Sequence, residues 1–341
     1  MGKYQLSEAS FKASVTDPTH QALLMPNLKE MFGKTYNNNV DFIADYNKAL
    51  DKTNQKFKEA DDTDSVIYTD YALSITKNST IGFVKENQIL LFYICFIISA
   101  LGGLIYMGAD LFIQPVAGIK NNNIFKRSVT NRGVIAVLFS VFLIVFYLFL
   151  YKAPAYLSNW VFLVDPLSFS LTGGEASHWF LYGFLYSLIM LTMGIRVYVK
   201  YRHNNYQIIR NTSVIFFQLS FAFMIPNILT KLQLPSMDFK NMWPLDYSFF
   251  FDYRLDSLLA AGTLGYWMLG WGIFLFVVGV PVMVYFFGKR WYCSWVCGCG
   301  GLAETFGDPY RQLSDKSLKA WKYERVIVHS VLVFVIVMTI A

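Results

Sequence analysis

Cys293, Cys297 and Cys299 place three of the chain's four cysteines within the seven residues CSWVCGC. Thiolates this close together suit a soft metal centre, and a [4Fe-4S] cluster takes four of them, so C-x3-C-x-C is one ligand short. On a continuous helix Cys293 and Cys297 share one face, and a helix end at Gly298 would bring Cys299 toward them. Lys289 and Arg290 favour the thiolate form, while Trp291, Tyr292 and Trp295 exclude water. Three other readings remain open. Structural zinc needs a fourth ligand, for which Cys95 and His329 stand in apolar segments. A Cys297–Cys299 disulfide is sterically demanding. Three packed cysteines with no special role are the third, and on its apolar helix Cys95 itself reads as a core residue.

The elements that position this motif are apolar. With 55% hydrophobic and 15% charged residues among 341, the chain falls well below the about 25% charge of soluble domains. Apolar runs at 88–113, 133–151, 178–199, 213–232, 258–287 and from 326 onward are long enough to cross hydrocarbon as helices. The expected fold is therefore all-α: a polytopic transmembrane bundle of about six spans over residues 88–341, with the cysteine motif at 290–301. Gln218 and Pro226 interrupt the fourth run and read as a packed kink in preference to a ligand or ion site. His178 and His329 fall at or within spans but do not by themselves make a haem site. Residues 1–87 carry ten Lys and Arg against twelve Asp and Glu and read as a small polar domain or loosely packed extension. The rest carries nineteen basic against eleven acidic residues. That excess is an orientation signal for a membrane protein, with no nucleic-acid partner implied.

Basic residues collect in the first, third and fifth connections, including Lys126, Arg127, Lys200, Arg210, Lys289 and Arg290. The second and fourth contain Asp165, Glu175, Asp246 and Asp252. Odd connections are then cytoplasmic, which places the cysteine motif at the cytoplasmic face and residues 1–87 outside; a re-entrant first apolar run is the alternative, leaving five spans and an internal amino terminus. Trp243, Tyr247 and Tyr253 in the fourth connection suit the membrane interface.

GKRWYCSWVCGCGGLAETFGDPYRQLS resembles the region of membrane-bound polyferredoxins related to NapH and NosR in which a transmembrane helix runs into C-x3-C-P-x-G and a short apolar helix. Cys293 and Cys297 fall on the motif cysteines and Gly300 on its glycine, whereas Gly298 replaces the proline and Cys299 is additional. The likeness covers chiefly residues 258–341. It implies a multi-pass protein of a bacterial inner membrane, in lipid contact, serving electron transfer as a subunit and not as a self-contained catalyst. A [4Fe-4S] cluster on Cys293, Cys297 and Cys299, a redox partner protein or membrane complex, and a quinone are the implied cofactor and partners. The fourth ligand is expected from downstream sequence, a neighbouring subunit, Cys95 or a non-cysteine group. A noncatalytic assembly subunit is the alternative.

Overall fold

The computed structural model describes residues 3–59, 66–67, 71–108, 134–234, 246, 248–288, 291–308 and 317–340. The amino-terminal residues build a small mixed unit. β1 (Lys3–Gln5) leads into α1 (Glu8–Ser14) and α2 (Pro18–Leu28); β2 (Thr35–Tyr36) precedes α3 (Asn39–Glu59). α4 (Ala72–Asn78), β3 (Thr80–Ile81) and α5 (Phe83–Glu86) complete it. α1 starts at a capping box, in which the Ser10 backbone N–H donates to Ser7 Oγ and the Ser7 N–H donates to Ser10 Oγ. α3 presents Phe42, Ile43, Tyr46, Ala49 and Thr53 at helical spacing, and that stripe is buried. The charged stretch KTNQKFKE continues this helix as far as Glu59.

The three strands form an antiparallel sheet in the order β2-β1-β3, with Tyr4 opposite both Tyr36 and Thr80. The chain is therefore predominantly but not purely helical, which corrects the all-α expectation. Strands of two or three residues carry too little periodicity to be visible locally. Tyr4, Leu6, Phe11, Leu24, Phe42 and Ile75 are fully buried in one core, which also takes in Ala155 from the second connection.

The apolar part begins with α6 (Gln88–Gly108) and α7 (Val134–Lys152). After α7 the chain turns through α8 (Ser158–Leu163) and α9 (Asp165–Thr172) into α10 (His178–Lys200). α11 (Asn205–Phe216), a π-helical stretch over Phe217–Met224 and α12 (Ile225–Lys231) make one continuous helix of 27 residues. α13 (Asp252–Ala260) is separated from α14 (Thr263–Phe274) by Gly262 at φ 65°, so the next long helix starts at Thr263 and not at Leu258. It passes through a second π-helical stretch into α15 (Val280–Phe287). α16 (Trp291–Trp295), α17 (Gly298–Glu304) and α18 (Leu318–Ile340) follow.

Among the described residues four helices are long and apolar enough to cross a membrane: α6, α10, Asn205–Lys231 and Thr263–Phe287. Counting α7 together with the segment to Leu163, bent 114° from it, gives five. The expected six are not found among the described residues. The last apolar run instead ends α18, a helix that opens with Lys319, Lys322, Glu324 and Arg325 and is exposed along most of its length. α10 is the central helix, with 44% of its most apolar window buried against 6% in α6. The apolar side chains that α6 turns outward, among them Ile98 and Ile105, suit a lipid surround.

Ion pairs tie the amino-terminal unit to the second connection. Lys77 Nζ lies 3.1 Å from Asp165 Oδ1 and 2.9 Å from Glu175 Oε2, and donates to the Ala176 carbonyl at 3.1 Å. Asn39 Nδ2 donates to the Tyr156 carbonyl, and Tyr4 Oη to Asn159 Oδ1.

Candidate functional site

The three clustered cysteines lie on a helical hairpin. Cys293 sits in α16, which ends where the backbone N–H groups of Val296 and Cys297 both donate to the Tyr292 carbonyl at 2.9 Å. Cys297 is extended, with φ −67° and ψ 136°, and caps α17; Cys299 lies in the first turn of that helix. The helix therefore ends before Cys297, so Cys293 and Cys297 do not share a helix face as expected. The break sets Cys293 on one leg of the hairpin and Cys297 and Cys299 at the start of the other. Cys297 is half-buried, whereas Cys293 and Cys299 are exposed.

The motif glycine has a steric reason. A Cβ on Gly300 would overlap the Cys293 carbonyl oxygen, so the two legs can approach this closely only with hydrogen at that position.

Polar side chains from two long helices hold the turn. Tyr186 Oη donates to the Gly298 carbonyl at 2.9 Å and Ser213 Oγ to the Trp295 carbonyl at 3.0 Å. Gln218 Nε2 donates to the Val296 carbonyl. Tyr186 is eight residues from the start of α10 and fourteen from its end, about 12 Å and 21 Å at 1.5 Å per residue. Gln218 is thirteen residues from each end of Asn205–Lys231, about 20 Å. The turn thus reaches the middle of the bundle rather than stopping at its basic end.

The outgoing leg returns to that end. Arg210 Nη2 meets Glu304 at 2.5 Å, and Asp308 accepts from Arg196, from Lys200 at 2.7 Å and from Tyr201 at 3.0 Å. Burial by itself would raise the Asp308 pKa, but the hydrogen bonds and charges of Lys200 and Arg196 outweigh it and hold the carboxyl below its ordinary value. Trp295 packs against Tyr206 and Phe287, with ring centroids 5.8 and 6.2 Å apart. Tyr147, Tyr182 and Tyr186 form a run of ring contacts, with centroids 6.3 and 6.1 Å apart, that ends at the Gly298 carbonyl. The same tyrosines, with Phe146, Trp160 and Leu302, line an apolar recess of about 180 Å³.

The remaining candidates lie elsewhere. Cys95 is exposed on α6, which corrects its expected place in the core: an apolar surround of lipid serves a small thiol as well as packed protein does. His329 is exposed on α18, with Nδ1 2.6 Å from the Arg325 carbonyl. His178 packs on Trp179 at the opposite end of α10 from Lys200. Lys289, Arg290, Trp243 and Tyr247 fall outside the described residues. Among the described residues no three His, Cys, Asp or Glu side chains converge on a metal position. Sequence reasoning missed Tyr186 and Ser213 and read Gln218 as packing. The one local sign was a polar glutamine inside an apolar run.

Residues 269–317, from within α14 to the residue before α18, match the family model of a 4Fe-4S binding domain, and all three clustered cysteines lie inside the match. No curated protein and no solved structure matches the chain. The donors fit such a cluster in kind, because thiolates bind iron–sulfur clusters, but among the described residues no complete ligand set converges. Several membrane-length helices around a 4Fe-4S-binding segment give the chain the character of a multi-pass, membrane-associated iron–sulfur domain protein.

Proposed function

We propose that this protein is an electron-transfer subunit of a bacterial inner membrane, with Cys293, Cys297 and Cys299 as ligands of a [4Fe-4S] cluster. The observation that carries the reading is the coincidence of the matched segment with a cysteine hairpin held against two membrane-length helices. When bound, the cluster supplies one-electron chemistry. The chain's own residues do the rest. The hairpin presents the thiols, α10 and Asn205–Lys231 fix its backbone, and Trp295 covers it on the basic side. A neighbouring subunit that supplies the remaining ligand would complete the set, which makes a membrane complex the natural setting. The recess supports a quinone as exchange partner, because it offers apolar walls and phenol groups, one of which, Tyr186, donates to the Gly298 carbonyl of the cysteine turn.

The test is anaerobic purification of the full-length gene product with its partners, followed by iron and acid-labile sulfide determination and low-temperature spin resonance. Iron, sulfide and a signal that appears on reduction are expected, with Cys293→Ser and Cys297→Ser losing all three. Protein without iron or sulfide would overturn the reading and leave the assembly subunit in its place.

A further inference from the structure

Where α16 gives way to the extended Cys297, the carbonyls of the broken turn lose the N–H partners that a continuing helix would provide. Inside an apolar layer such groups must be satisfied by neighbours, since no water is at hand. Ser213 and Gln218 serve the adjacent carbonyls of Trp295 and Val296, and Tyr186 serves Gly298. All three acceptors lie between Cys293 and Cys299, so these donors fix the stretch of backbone from which the thiols project. Gln218 is central to the set. It is 95% buried, it stands near the start of the π-helical stretch 217–224, and its Oε1 would lie 2.9 Å from a Cβ placed on Gly298. Wide-wound stretches of this kind recur at functional sites.

We infer that Gln218 is a positioning residue for the cysteine turn: by donating to the Val296 carbonyl it fixes the backbone from which Cys297 projects, between Cys293 and Cys299. The inference rests on the iron–sulfur reading for its consequence but not for its geometry. A glutamine suits the task because it carries a donor on a neutral side chain, whereas a charged donor at this depth would add a large desolvation cost. Gln218 acts through the backbone of the turn, by its bond to the Val296 carbonyl.

The experiment compares the full-length protein with Gln218→Met, which keeps the length of the side chain and removes its donor, and with Ser213→Ala and Tyr186→Phe, which each remove one hydroxyl. Two readouts are taken. Alkylation of Cys297 by a membrane-permeant maleimide, followed by mass spectrometry on the iron-free protein, reports on the turn alone. Cluster loss to a chelator, with reduction potential and spin-resonance line shape, reports on the loaded protein. In Gln218→Met, Cys297 is expected to react about tenfold faster and the cluster to be lost about tenfold faster, the lower end of the effect of removing outer-shell partners. The potential and line shape shift as well, which lowered stability alone would not cause. If Gln218→Met fails to fold, the two hydroxyl variants carry the same comparison. Unchanged alkylation, chelator rate and potential in the folded variants would overturn the inference. Absence of iron from the unmodified protein with faster alkylation in Gln218→Met would instead refute the iron–sulfur reading and leave the positioning role standing.

Discussion

Replacing Lys77 by Met keeps an apolar stem of similar length and removes the ammonium that joins α4 to the second connection. Lys77 and Asp165 are 4% and 6% exposed, so solvent screens their contact little. Glu175 is 49% exposed, and its share in the network is discounted to about 0–1 kcal/mol. What remains in Lys77→Met is a buried carboxylate whose retained donor is the Ala176 N–H at 2.7 Å. Breaking a buried pair by removing one partner costs about 3–5 kcal/mol. Local opening of α4 away from α9 should therefore become two to four orders of magnitude more frequent, at about 1.4 kcal/mol per factor of ten. Hydrogen exchange in peptides covering residues 72–81 measures that opening in detergent or nanodiscs. Lys77→Met with Asp165→Asn removes the stranded charge and should recover most of the protection. An exchange change below tenfold in Lys77→Met, or a double variant as unprotected as the single one, would refute the argument.

Gly300→Ala forces a Cβ into the Cys293 carbonyl and must spread the hairpin, an overpacking cost of about 1–3 kcal/mol; cross-linking of Cys293 to Cys299 by a short bifunctional maleimide should fall several-fold, while Gly270→Ala, with open space around it, should change nothing. Asp308 has a depressed pKa, so its contribution to stability is full above its unfolded value of about 3.9 and fades as pH falls through the lower folded value. Fluorescence of Trp291 and Trp295 should accordingly report loosening of the hairpin only below about pH 4, and a transition between pH 5 and 7 would contradict the assignment. In the amino-terminal unit, Phe42→Ala empties a fully buried site and should cost about 3–5 kcal/mol, read as loss of protection throughout α3.

The long apolar runs and the cysteine cluster were legible in the sequence because each depends on neighbouring residues: a bilayer-length stretch without charge must close its hydrogen bonds as a helix, and three thiols in seven residues stand out without any tertiary contact. Even there the local signal had limits. It could not place the helix break at Cys297 rather than Gly298, since that position is decided by carbonyls competing for donors on other helices. The small sheet pairs Tyr4 with residues more than thirty positions away, and Lys77 finds Asp165 across 88 residues of chain. Neither contact leaves a periodic trace. Gln218 looked like an interruption in an apolar helix until the fold set it against the Val296 carbonyl. The sequence by itself determined which segments avoid water and which side chains can bind a metal. Only the tertiary structure decided how deep the thiols lie and what holds them there, because depth and orientation come from unsatisfied backbone groups meeting donors brought from elsewhere in the chain.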